Sequence, residues 1–194
     1  GIYPLSLHDA LPIFYKTALD DSSYRVISQA LKAIKEIDPE QSLEQANKME
    51  GIESALVNQT IATIYAEYGS TSEHQYFINT INELNGFNKY SFLQQYLIFI
   101  LRQDDEEIEK AIEIFIDVAK NSSTWFVKLS GYQLITRIQN FYEEKARSTS
   151  TEISELRSSG KESDALLLET KFNYYKVKEN KLSEVLTELR ENES

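Results

Sequence analysis

The chain has 194 residues, of which 41% are hydrophobic and 26% are charged, an ordinary globular balance. Its net charge of −11 disfavours nucleic acids and anionic membranes as partners. Because it contains no cysteine, disulfides, thiolate metal sites and cysteine nucleophiles are excluded. With only 6 Gly and 3 Pro, the composition predicts long helices rather than a turn-rich β fold.

The first residues differ from the rest of the chain. The sequence begins with Gly1 rather than Met, and residues 5–13 closely resemble the translation of a sequencing-library adapter. We therefore expect a non-native leader over residues 1–13, with native sequence from near Phe14 onward. A native extended arm is the alternative. One of the two histidines, His8, lies in this leader.

Two helix pairs are predicted between residues 21 and 86. In each pair the apolar residues recur at spacings of three and four, which is the pattern of a helix buried on one face. Asp38 and Pro39 mark the start of the second helix, because proline fits the first helical position. Gly69 ends the third helix, and we expect it in the left-handed conformation that often follows a helix.

A third pair is predicted from Asn88 to Leu101 and from Asp104 to Lys120. Its first helix is apolar nearly all round and should lie centrally in the fold. The second helix opens on four carboxylates, residues 104–107. Carboxylates bind calcium, but this spacing lacks the glycine turn and the twelfth-position glutamate of a calcium loop. We therefore predict that they cap the helix and complement its dipole.

The last third of the chain has a coiled-coil-like period. Apolar residues follow a heptad spacing over residues 142–156 and again over residues 168–189, with one polar interruption at Glu179. Gly160 separates the two runs. We predict an antiparallel helical hairpin that turns at Gly160. The alternative is one helix that dimerises with another chain.

Helix start and stop signals recur about every 30 to 36 residues, a period typical of stacked helical pairs. The small residues Ala30 and Gly131 occupy similar places in two similar segments and would let neighbouring helices approach. The sequence therefore predicts an all-α, HEAT-like stack of antiparallel helix pairs over residues 14–122. A long helical hairpin over residues 123–194 closes it. Trp125 is expected to pack between helical layers.

No catalytic, cofactor-binding or metal-ligating residue is assigned in this sequence. Outside the leader His74 is the one histidine, whereas a zinc site of the HExxH type needs two histidines on one helical face. A Ser-His-Asp triad would need His74 as its base, and no nucleophile elbow lies near it. We therefore expect a surface histidine in the first turn of an ordinary helix. No glycine-rich phosphate loop is present.

Several segments carry a family resemblance through their joint order. They are residues 21–24, 33–40, 64–69, 87–94, 118–121 and 129–133, with Trp125 and a charged helical tail. In this order they resemble the C-terminal helical domain of zinc-dependent aminopeptidases of the aminopeptidase N family. The resemblance covers nearly the whole chain after Phe14, although no single segment is diagnostic.

The resemblance implies that this chain has a role in a peptidase but does not itself catalyse the reaction. In that family an upstream catalytic domain holds zinc on HExxH and a distant glutamate, and a GxMEN-type loop grips the peptide's amino terminus. None of these motifs occurs here, so no catalytic residue is carried over. The chain would be an inactive fragment that covers the active-site cavity and limits peptide access. Zinc is then expected in the missing catalytic domain, and no cofactor in this fragment.

The partners implied are that catalytic domain and the peptide substrates of the parent enzyme, with no nucleic acid and no membrane. A free-standing HEAT- or tetratricopeptide-like scaffold that holds a protein partner is the alternative function. The sequence leaves the compartment, cytoplasmic or periplasmic, unassigned.

Overall fold

The computed structural model describes residues 15–191, and all regular structure in this range is helical. After a short helical segment at residues 15–18, the helices are α1 (Tyr24–Ile37), α2 (Pro39–Met49), α3 (Ala55–Tyr68), α4 (His74–Ile81), α5 (Gly86–Ile100), α6 (Asp105–Asn121), α7 (Trp125–Ser158) and α8 (Glu162–Glu191). A 3₁₀ turn, Thr71–Glu73, precedes α4. The predicted leader, its boundary near Phe14 and His8 lie outside the described residues.

The contacts divide the chain into two compact units, one ending at Glu109 and the other beginning at Lys110. The all-α class is confirmed, whereas the HEAT-like assignment and the predicted division after residue 122 stay predictions. Within residues 15–191 no helix combines the length and the apolar character that crossing a bilayer requires.

In the first unit, helices that lie one predicted period apart in the sequence pack against each other. Helix α1 packs on α2 and α3, and α3 packs in turn on α2 and α5. Hydrogen bonds join side chains about one period apart. The hydroxyls of Ser28 and Thr60, 32 residues apart, are separated by 2.6 Å. Lys35 donates to Glu67, also 32 residues on, at 2.7 Å. The recurrence of helix signals therefore corresponds to a recurrence of helix contacts.

Aromatic rings fill the centre of the first unit. The ring of Phe77 stacks on Tyr96 and Phe99, with centroids 5.0 and 4.7 Å away, and its centroid lies 5.4 Å from that of Phe92. All four residues are fully buried. Burying one such ring contributes about 1.5–3 kcal/mol, and each well-oriented ring pair adds about 0.5–1.5 kcal/mol. The prediction that α5 lies centrally is confirmed by its buried residues Phe92, Leu93, Tyr96, Leu97, Phe99 and Ile100.

The predicted helix starts are confirmed where a carboxylate caps a backbone N–H. The side chain of Asp38 accepts from the N–H of Gln41 at 3.0 Å, and Pro39 is the first residue of α2. Asp104 accepts from the N–H of Glu107 at 3.1 Å at the start of α6. These bonds satisfy N–H groups that have no partner inside a helix.

The second unit contains the predicted antiparallel hairpin. Helices α7 and α8 pack along each other, and Gly160 turns the chain between them with a φ of 75° that suits glycine. The ring centroids of Tyr142 and Tyr175 lie 6.3 Å apart across the seam. Buried seam positions of the two helices are Tyr142, Ala146, Thr149, Ile153, Ala165, Leu182, Leu186 and Leu189.

Two local predictions are wrong. Gly69 has a φ of −65° and an extended ψ of 158°, so it does not adopt the left-handed conformation. A Cβ there would lie 2.6 Å from the carbonyl oxygen of Tyr65 and 3.2 Å from the ring of Phe99, and close approach explains the glycine instead. Trp125 is 75% exposed. As the first residue of α7 it precedes the buried face, which begins at Val127.

Gly131 allows α7 to approach α6 closely, as its small size predicts. A Cβ at this position would lie 2.6 Å from the backbone nitrogen of Ala119 and 2.8 Å from the carbonyl oxygen of Phe115. Both atoms belong to helix backbone and cannot turn aside as a flexible side chain could. The distance between the two helices in the second unit therefore depends on this glycine.

We predict that Gly131→Ala destabilises the protein by about 1–3 kcal/mol, as overpacking does. The sign of the change in the free energy of unfolding is informative, because in an uncrowded helix Gly→Ala would stabilise the protein by about 1 kcal/mol. Urea unfolding followed by circular dichroism measures the effect. Ser150→Ala, at an exposed position of the same helix, is the control and should change stability by less than about 0.5 kcal/mol. Unchanged or increased stability of Gly131→Ala would contradict the close approach.

Candidate functional site

His74 is buried, which contradicts the prediction that it lies on the surface. It is the first residue of α4, and only 3% of its surface is exposed. The rings of Tyr96 and Phe99 lie beside it, with centroids 5.5 and 5.8 Å from the imidazole centroid. Helix α4 packs against the aromatic helix α5. The side chain of His74, in the first turn of α4, therefore lies in the core rather than in solvent.

Both nitrogens of the His74 ring have partners. Nδ1 contacts the carboxylate of Glu107, and Nε2 lies 2.6 Å from the hydroxyl of Tyr96. Glu107 is 7% exposed and Tyr96 is fully buried. Burial, with the negative charge of Glu107 adding to it, raises the pKa of Tyr96. The three side chains satisfy one another's polar groups in a place where unpaired ones would be costly.

Carboxylate, imidazole and hydroxyl follow one another here as they do in hydrolase triads, but the arrangement cannot act on a substrate. A reacting atom must come within about 3 Å of the nucleophile. The hydroxyl of Tyr96 has no exposed surface at all, and the imidazole is enclosed between aromatic rings. We therefore assign His74, Glu107 and Tyr96 a structural role in holding α4, α5 and the start of α6 together.

Sequence reasoning missed this contact, although a signal for it exists. His74 and Glu107 are 33 residues apart, close to the period of the helix pairs. One begins α4, and the other lies in the first turn of α6, the corresponding helix one pair later. Ser28 with Thr60 and Lys35 with Glu67, each pair 32 residues apart, also meet in this unit. The spacing is therefore consistent with the contact, although it does not single out this pair.

A second feature of the first unit is a groove of about 840 Å³, called here the polar groove. It lies where the connection between α2 and α3 meets α4 and the connection to α5. It is lined by Glu50, Gly51, Ile52, Glu53, Ser54, Ala55, Asn58, Ser72, Gln75, Tyr76, Asn79, Thr80, Glu83, Leu84, Asn85 and Asn88. Its volume falls in the range of small-molecule and peptide sites, but its lining is far more polar than most.

The polar groove carries negative charge without positive charge. Glu50, Glu53 and Glu83 line it, and no lysine, arginine or histidine is among its described lining residues. Within residues 15–191 none of these three carboxylates forms an ion pair. Glu50 instead accepts a hydrogen bond from the hydroxyl of Tyr65 at 2.6 Å. The lining of the groove therefore carries net negative charge, which attracts positively charged groups.

Tyr76 and Asn58 form the buried floor of the polar groove. The hydroxyl of Tyr76 lies 3.3 Å from both the backbone oxygen and Oδ1 of Asn58. The two residues are 7% and 8% exposed. Burial raises the pKa of Tyr76, and the charges of Glu50 and Glu83 raise it further while a hydrogen bond with Thr80 opposes them.

The carboxylates of the groove do not form a cluster of three. Among residues 15–191, no group of three or more His, Cys, Asp or Glu side chains converges closely enough to hold a metal ion. What the groove offers is a set of separate acceptors and side-chain amides. Such a lining can hold a cation with several hydrogen-bond donors.

Comparison of the chain with protein-family models, with curated proteins and with solved structures finds no match.

We predict that Glu107→Gln lowers the free energy of unfolding by about 1.5–3 kcal/mol, the contribution of a hydrogen bond to a charged group. The amide keeps the shape of the carboxylate but loses the charge that the imidazole contacts. Glu113→Gln makes the same change at an exposed position of the same helix and should have an effect below about 0.5 kcal/mol. Equal effects of the two changes in chemical unfolding would show that the buried pair contributes nothing.

Proposed function

We propose that this chain is the helical domain of a zinc-dependent aminopeptidase of the aminopeptidase N family. In that role it covers the cavity of a separate catalytic domain and limits which peptides reach the zinc. The chain itself supplies no zinc ligand and no catalytic group. The observation that carries the proposal is the joint order of the resembling segments, which extends over nearly the whole sequence after Phe14.

The places that these segments occupy in the fold support the proposal. Residues 64–69 end α3 at the glycine that lies against Phe99, and residues 87–94 include most of the first half of the aromatic helix α5. Residues 129–133 surround Gly131, where α7 approaches α6. Segments at such positions determine how successive helices pack. Two proteins with the same helical packing are therefore expected to have such segments in the same order.

The alternative is a free-standing helical scaffold that binds a protein partner. The polar groove favours this second function, because it is an open site of substantial volume on a unit without catalytic chemistry. Both functions use the same fold, and they differ in what is encoded next to the chain. A scaffold needs no catalytic domain, whereas the peptidase domain requires one on the same polypeptide.

The test is to recover the coding sequence that precedes the codons for residues 15–30 in the source DNA. We expect the reading frame to continue upstream and to encode HExxH with a distant glutamate. A start codon just before Phe14 would contradict the peptidase proposal and support the scaffold. As a control, the chain by itself should hydrolyse no aminoacyl reporter and retain no stoichiometric zinc after dialysis. Zinc retention together with hydrolysis would also overturn the proposal.

A further inference from the structure

The polar groove is a candidate binding site on grounds independent of the proposed function. Two properties define what would bind there. It has unpaired negative charge at Glu50, Glu53 and Glu83, and it has a floor with an unused hydrogen-bonding group. Each property points to one part of the same ligand.

The unused group belongs to Asn58. Within the described residues its hydrogen bonds, both with Tyr76, involve its two oxygens, and its side-chain nitrogen Nδ2 has no partner. No fully buried side-chain nitrogen or oxygen in the described part lacks a partner, so Nδ2 is not sealed off. Asn58 lines the groove and is only 8% exposed, so we infer that the accessible part of this donor faces the groove. An amide N–H in such a place suits a carbonyl oxygen of a ligand.

The carboxylates specify the other part of the ligand. Three carboxylates line the groove without a lysine, arginine or histidine among the described lining residues, which favours a positive charge on the ligand. Ammonium and guanidinium groups have several N–H donors and can bridge carboxylates and amide oxygens at once. The exposed amides of Asn85 and Asn88 add further donors and acceptors along the rim.

We propose that the polar groove binds an extended peptide segment with basic side chains, whose ammonium or guanidinium groups meet Glu53 and Glu83 and whose backbone carbonyl meets Asn58. A volume of about 840 Å³ holds several residues of such a segment, which is more than one isolated side chain needs. A polyamine would satisfy the carboxylates but has no carbonyl for the amide donors. The peptide therefore uses both properties of the groove, and the polyamine uses one.

The test measures binding of a short acetylated peptide amide with two lysines among alanines, by calorimetry at low salt. Its matched probe has glutamine in place of each lysine, and spermidine represents the cation without a peptide backbone. We expect a Kd below about 1 mM for the lysine peptide, weaker binding at high salt, and clearly weaker binding of both other probes.

Two double variants locate the site. Glu53→Gln with Glu83→Gln removes exposed groove charges and should weaken lysine-peptide binding by about three- to tenfold. Glu152→Gln with Glu188→Gln changes the net charge equally at exposed positions of α7 and α8 and should leave Kd within about twofold. Circular dichroism checks that both variants keep their helices. In the unaltered protein, an NMR shift of the Asn58 side-chain amide on peptide addition would place the peptide at the floor.

The proposal is overturned if the control pair weakens binding as much as the groove pair, because the effect would then follow net charge. It is also overturned if the glutamine peptide or spermidine binds as tightly as the lysine peptide, or if nothing binds up to about 1 mM. None of these outcomes depends on zinc or on what is encoded upstream. Failure here is therefore distinguishable from failure of the aminopeptidase proposal.

Discussion

Phe77 is the point on which the packing of the first unit converges. Its ring touches residues from both flanking helices, with Tyr65 of α3 at 6.4 Å and Tyr96 of α5 at 5.0 Å between centroids. The helix that carries it, α4, is short, and a helix of eight residues is not stable by itself in water. Helix α4 forms because α3 and α5 bury its apolar face, and the same burial removes their own rings from water.

This shared burial also positions the two polar features of the unit. His74 and Tyr76 lie within three residues of Phe77 on α4. Docking of α4 brings the imidazole to Glu107 and Tyr96, where it is enclosed, and brings Tyr76 to Asn58, where it forms the floor of the polar groove. One polar cluster is thus enclosed in the core, and the other lies at the floor of a groove whose described lining residues include three glutamates and no cationic residue.

Much of the fold could be predicted from the sequence, because local signals and the repeat period agree. Asp38 with Pro39, the heptad seam around Gly160 and the apolar α5 each indicate one structure. The wrong predictions concern the contacts that a residue makes with residues far away in the sequence. The exposure of Trp125, the burial of His74 and the contact of Gly69 with Phe99 depend on how helices dock, which the local pattern leaves open. The groove was missed because its residues come from two connections, from the 3₁₀ turn and from three helices, and only the packing of those helices brings them together.

The most direct test of a shared aromatic core is a spectrophotometric titration of the 12 tyrosines with circular dichroism recorded in parallel. Burial raises the pKa of Tyr65, Tyr76 and Tyr96 above the usual value near 10. Below pH 10 these phenols are neutral in the folded and unfolded states, so stability is unaffected. Above it only the unfolded state ionises, so stability is lost as pH rises. We predict that part of the tyrosinate signal appears only as the helices unfold. Titration of all the tyrosines near pH 10 with the helices intact would contradict the buried core.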